Sequence, residues 1–126
     1  MPKFIGIEIA FAIHHDQISI FGGLQGVRDQ GLLESAIGQA QQTYAYTKDI
    51  HEAAVQYGLS LAKNHPFLDG NKRTAADCML TFLVMNGIEP TLTAEQLFKW
   101  ILQVAVSELD RAGLAELLRT HSRRKR

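Results

Sequence analysis

At 126 residues the chain is long enough for one domain that buries roughly two thirds of its unfolded surface. With 46% hydrophobic and 21% charged residues it reads as an ordinary globular protein, without a run of about 18 apolar residues to cross a membrane. A single cysteine, Cys78, excludes an intramolecular disulfide and fits a reducing compartment such as the cytoplasm. Thirteen basic residues balance thirteen acidic ones, but unevenly. Residues 1–118 hold all thirteen acids and eight bases, and the other five bases fall in residues 119–126. A net-acidic body argues against direct nucleic-acid binding by the fold. The basic tail, Arg119 to Arg126, could touch nucleic acid or an acidic partner, but the plainer expectation is a solvated, frayed end. The expected organisation is one domain over residues 1–126 that ends in this tail.

In chain order, the stretch Phe4 to Ile13 is apolar, is interrupted by Glu8 and lacks a basic leader, so it reads as a first helix and not a signal peptide. His14 and His15 point about 100° apart on a helix and cannot chelate one ion together, so packed or capping roles are expected for both. Phe21 to Asp29 contains three glycines and reads as a loop. Leu33, Ala36, Ile37 and Ala40 then recur at helical spacing behind Asp29, a suitable N-cap. Ile50, Ala53, Ala54, Tyr57, Gly58 and Leu61 repeat the pattern up to His65, with His51 expected at the surface. The next helix is apolar on nearly all sides from Cys78 to Met85, as a central helix would be, and Cys78 reads as a small buried hydrophobe. It stops at Asn86-Gly87. Thr93 to Gln96 is a capping-box pattern before the stripe Leu97, Trp100, Ile101 and Val104. A last helix carries Leu114, Leu117 and Leu118. The expectation is an all-α bundle of about six helices.

The chemistry concentrates in His65-Pro66-Phe67-Leu68-Asp69-Gly70-Asn71-Lys72-Arg73, where one helix ends and the next begins. A helix N-terminus offers unpaired N–H groups and partial positive charge to a phosphate. Gly70 allows close backbone approach, and Lys72 and Arg73 add fixed charge. Asp69 is the hard oxygen ligand that magnesium prefers beside phosphates. His65 can take a proton from a hydroxyl near neutral pH. Each residue alone reads more readily as part of a turn with Phe67 pinned in the core. Their joint spacing points to nucleotide-dependent transfer of a phosphate-containing group.

This run resembles the signature of the Fic/Doc family, and the chain is most similar to its short Doc (death-on-curing) branch. Phe21-Gly22-Gly23, Gly26-Val27-Arg28-Asp29, Gly31-Leu32-Leu33-Glu34-Ser35-Ala36-Ile37, Phe82-Leu83 and Asn86-Gly87 extend the similarity over roughly residues 9 to 118. The resemblance implies a compact helical domain with a flap-like hairpin at the Phe21–Asp29 loop, although an unpartnered glycine turn fits those residues equally. It implies that His65 is the catalytic base and Asp69 contacts the metal. Asn71 and Arg73, with Gly70 and Lys72 beside them, would hold phosphates, while Phe67 anchors the loop. The cofactors implied are ATP and magnesium. His15 stands where the Doc pattern typically has an acid.

Two departures separate the chain from adenylylating relatives. Lys72 stands where they carry a second glycine, and Ala76 where they carry a second arginine. The lysine fills space left open to a phosphate, and the missing guanidinium removes a grip on the chain's far end. The Doc-type members that share the lysine resemble kinases. The expected activity is therefore transfer of ATP's terminal phosphate to a hydroxyl, and the resemblance implies as target a threonine of a translation protein such as elongation factor Tu. An adenylyltransferase and a non-catalytic interaction module are the alternatives. Thr91 to Gln96 vaguely resembles the family's inhibitory helix but lacks its final Gly or Asn. Control should come from outside, as an antitoxin whose C-terminal segment folds into a helix on the toxin.

Overall fold

A computed structural model describes residues 2–125. Its six helices are α1 (Ile7–Phe21), α2 (Gln30–Thr47), α3 (Ile50–Asn64), α4 (Asn71–Met85), α5 (Ala94–Ala105) and α6 (Arg111–Thr120). Side chains cap four of them. Asp29 accepts from the Leu32 N–H of α2, Asp49 from His51 and Glu52 of α3, and Asp110 from Gly113 of α6. On α5, Thr93 and Gln96 close the capping box read from the sequence. Asn86 and Gly87, the latter at φ +78°, end α4 where expected.

The apolar stripes meet as their spacing dictates. Leu33, Ala36 and Ala40 of α2, Trp100, Ile101 and Val104 of α5, and Leu114 and Leu118 of α6 are buried. The centre, however, is shared. α4 buries Cys78, Met79, Phe82 and Leu83 but leaves Val84 61% exposed. The more enclosed helix is α3, which packs against α2, α4, α5 and α6 and so has neighbours on most sides. Small residues (Ala53, Ala54, Gly58, Ala62) on α3 let those neighbours approach. The Tyr57 hydroxyl of α3 donates to Ile5 O at 3.1 Å and accepts from Ile5 N at 2.9 Å, pinning the segment before α1. Burial pushes this phenol up to about 12, which keeps it a neutral donor. Burial likewise pushes the Cys78 thiol far up, consistent with a packing role.

Two short strands join the helices. β1 (Ile88–Pro90) pairs antiparallel with β2 (Ser122–Arg124), with Glu89 opposite Arg123. Bonds from Thr91 N to His121 O (2.7 Å) and from Lys125 N to Gly87 O (2.8 Å) extend the ribbon at both ends. This corrects the expectation of a frayed basic tail for residues 119–125, while Arg126 lies outside the described residues. The strand pairing holds residues 122–124, Arg123 forks onto Glu89 (3.1 and 3.3 Å), and Arg119 pairs with Asp49 and Glu116. A row of arginines reads as solvated charge only where no complementary acid faces it. Among the described residues no helix is long and apolar enough to cross a membrane.

His51 is likewise not a free surface residue. It lies under the ribbon with Nε2 3.1 Å from Ser122 Oγ and Nδ1 3.9 Å from an Asp49 oxygen. Burial holds its imidazole below the ordinary 6.5, against the opposing pull of Asp49 and with help from Arg119 and Arg124. Burial also works against ionisation at Asp49, but the Arg119 hydrogen bond and the Glu52 and His51 N–H groups outweigh it and keep the carboxyl low. The fold therefore disfavours protonated His51 more than the unfolded chain does. Its contribution to stability is complete above the unfolded value near 6.5 and declines as pH falls toward the lower folded value. Amide exchange at Thr91 and Lys125, corrected for intrinsic rates, should speed up between about pH 7 and 5, and His51→Gln should flatten that rise. Protection that stays constant over this range in the unmodified chain would contradict the coupling.

Candidate active site

α3 ends at His65, whose backbone is left-handed at φ 51° and ψ 58°. A non-glycine residue there costs about 1–3 kcal/mol and persists only where its surroundings hold it. Here they do. Arg28, arriving from the loop after α1, places Nε 2.6 Å from His65 O and Nη2 2.7 Å from Asn64 O. Its guanidinium thus satisfies carbonyls that the end of α3 leaves open and meets the negative end of that helix.

The segment after His65 is anchored inward. Phe67 is 1% exposed and stacks flat on the buried His14 of α1, with ring centroids 3.8 Å apart. Burial of that ring contributes about 1.5–3 kcal/mol, comparable to the strain at the junction. His14 Nε2 lies 2.8 Å from Asp69 O, so one side chain holds both the anchor and the backbone of the acidic residue. Asn71, the first residue of α4, closes the loop on itself. Its Oδ1 accepts from Phe67 N at 2.9 Å and its Nδ2 donates to Phe67 O at 3.0 Å.

The glycine-rich loop 22–29 lies across this segment. It does not form a hairpin with itself. It pairs instead with the motif, Val27 bridging Phe67, Leu68 N donating to Gly26 O at 3.1 Å and Arg28 N to Pro66 O at 2.7 Å. Three glycines in a short span provide no paired strand of their own, so the partner comes from the motif. Leu24 N donates to Asp69 Oδ2 at 3.3 Å. Gly23, at φ +123°, is required there, because a Cβ would lie 2.7 Å from the same oxygen. Gly70 is required too: its φ is +70°, and a Cβ would meet Ile18 Cδ1 at 2.8 Å.

These constraints shape an open cavity of about 350 Å³ lined by His65, Leu68, Asp69, Gly70, Asn71, Lys72 and Arg73. The predicted site residues therefore converge, but with different roles. His65 and Asp69 are exposed at the cavity, and Asp69 is the carboxylate among its lining residues. Its Oδ1 accepts from Gly70 N at 2.9 Å and does not reach past it to cap α4. α4 accordingly has no side-chain cap, and its first N–H groups have no capping side chain to accept from them. Asn71 is 8% exposed, with its amide oxygen and one amide hydrogen spent on Phe67, so the loop clip is its principal visible role. Lys72 projects outward at the rim.

Arg73 packs its guanidinium 5.1 Å from the Phe21 ring centroid and joins this cavity to a second one of about 260 Å³. That groove runs between α1, α4 and α5 over Phe21, Ala76, Leu80, Leu97 and Phe98. Ala76 is 3% exposed, so no guanidinium extends from the second turn of α4.

Sequence reading missed the arrangement of His14 and Arg28, which touch the motif only through the fold. A packed role suits His14, but His15 is exposed and contributes only a carbonyl, which accepts from Gln25 Nε2 at 3.3 Å. One turn of helix faces the core with a single one of two adjacent positions, and His14 occupies it.

The Fic/DOC family model matches residues 4–83. The chain is 34% identical over 119 residues to "Protein kinase doc" of Escherichia phage P1, covering 93% of this chain and 94% of that protein. It is 44% identical over 73 residues to "Toxin Doc" of Mycolicibacterium smegmatis, covering 55% of each.

Proposed function

The chain belongs to the Fic/Doc family, and from that premise we propose that it is the toxin of a toxin–antitoxin pair and moves the terminal phosphate of ATP onto a protein hydroxyl. One observation carries the reading. A single cavity joins an exposed imidazole, a carboxylate and the uncapped N-terminus of α4. The name of the phage P1 relative, a protein kinase, supports phosphate as the transferred group. The name of the mycobacterial relative supports a toxin.

In this reading the N–H groups opening α4 and the side chains of Lys72 and Arg73 hold the phosphates of ATP. His65 takes the proton from the attacking hydroxyl as its oxygen bonds to the terminal phosphorus and the bond to the departing ADP breaks. The imidazolium then returns that proton to solvent. Asp69 suits magnesium shared with phosphates, because that ion takes one or two carboxylates and fills its shell with substrate oxygens and water. Bound there, magnesium would neutralise charge on the phosphates. A threonine of elongation factor Tu is the target class proposed, and cytoplasm the compartment. The groove between α1, α4 and α5, with its Phe21, Leu80, Leu97 and Phe98 floor, suits an antitoxin segment that folds into a helix.

Incubation of the purified chain with ATP, magnesium and elongation factor Tu tests the reading by mass spectrometry of the target. Asp69→Asn should weaken transfer by about ten-fold or more and raise the magnesium concentration needed for half-maximal rate. Undiminished turnover of that variant with magnesium chelated would rule out the metal role of Asp69. A retained scaffold without catalysis is the second reading, and the intact set of His65, Asp69 and Arg73 around one cavity disfavours it.

A further inference from the structure

We propose that Arg28 is a positioning residue for the reaction, setting where the His65 imidazole stands through the backbone that carries it. The inference rests on the reading of His65 as base. Arg28 is absent from the cavity wall and reaches it only through the backbone of His65. Instead its guanidinium bridges the two consecutive carbonyls that flank the left-handed turn, at 2.6 Å to His65 and 2.7 Å to Asn64. Its backbone N–H and that of Asp29 both donate to Pro66 O, at 2.7 and 3.0 Å. The junction is thus gripped on both sides of His65 from one short stretch of chain.

That stretch is itself fixed. Asp29 is the N-cap of α2, accepting from Leu32 N at 3.0 Å, and Val27 bridges Phe67. Arg28 therefore projects from a held backbone onto carbonyls with no helical partner. A planar fork suits two neighbouring acceptors in a way that a single ammonium does not. Histidine at φ 51° is strained, so a released junction has a downhill path toward the right-handed region, and the imidazole would swing with it. A displacement of about 1 Å at a reacting group is enough to slow a reaction by roughly 10²-fold. The side chain of Arg28 is exposed, so its truncation removes no core packing and the fold should persist.

The test compares the full chain with Arg28→Ala and Arg28→Lys, using ATP and a target protein and checking the fold by thermal melting. Arg28→Ala should lose about 10–100-fold in kcat with KM for ATP near that of the unmodified chain, because the phosphate-holding groups on α4 are untouched. Arg28→Lys should recover only part of the loss, and added guanidinium ion should raise the rate of Arg28→Ala but not that of the unmodified chain. Wild-type kcat in Arg28→Ala, or a loss confined to KM for ATP, would overturn the proposal. An NMR readout separates this from the function itself: the Cα and Cβ shifts of His65 should move away from left-handed values in Arg28→Ala. Unchanged shifts would sink the positioning role even with activity reduced. If His65→Ala were as active as the unmodified chain, the base assignment would fail, while the shifts would still decide whether Arg28 holds the junction.

Discussion

Replacing His65 with alanine should lower phosphate transfer by on the order of 10²–10⁴-fold, the usual consequence of losing a general base. The side chain is exposed at the cavity, so its removal opens no hole in the core, and the melting temperature should change little. Alanine accepts the left-handed backbone less readily than histidine, so His65→Asn is a useful companion. Asparagine tolerates that conformation and keeps a polar group there, yet cannot take up the proton at neutral pH. Both variants should be inactive in a timed transfer assay and harmless when expressed. Full toxicity of either on expression would remove His65 from the mechanism.

The second large effect concerns which part of ATP is transferred. With label at the γ phosphate the target protein should become labelled, and with label at the α phosphate it should not. Lys72 occupies the rim where a glycine would leave room, and the buried Ala76 has no group to grip phosphates farther along the chain. Arg73 is partly engaged with Phe21, so on the proposed reading the start of α4 would be the main anchor and the end of the phosphate chain would lie toward His65. The mass of the modified target gives the clearest reading. Addition of an AMP group would make the chain an adenylyltransferase, overturn the kinase assignment and leave the family unchanged.

Much of this arrangement was legible in the sequence because it is local. Helix periodicity, Asp29, the Thr93–Gln96 box and the stop at Asn86-Gly87 are set by residues within a turn of one another, and each stands where expected. The convergence of His65, Asp69 and α4 follows from their separation of a few residues. What stayed hidden depends on partners far along the chain. His14 meets Asp69 across 55 positions, Arg28 meets His65 across 37, and Arg123 meets Glu89 across 34. The last pair turned an expected loose tail into a strand, since three-residue strands carry too little pattern to be read alone. Asn71 shows a further limit. Its residue type suits a phosphate as well as it suits a loop clip, and only geometry shows that most of its polar capacity goes to Phe67.

The closure of that loop by Asn71 and Phe67 has a thermodynamic corollary. A segment already locked to its own backbone and to a buried ring has little freedom left to surrender when a nucleotide arrives. Association then draws almost wholly on phosphate contacts and displaced solvent, without a tax for selecting a rare conformer. On the proposed reading, nucleotide affinity would be set by charge and therefore by ionic strength, and the ordering penalty would fall instead on a flexible partner.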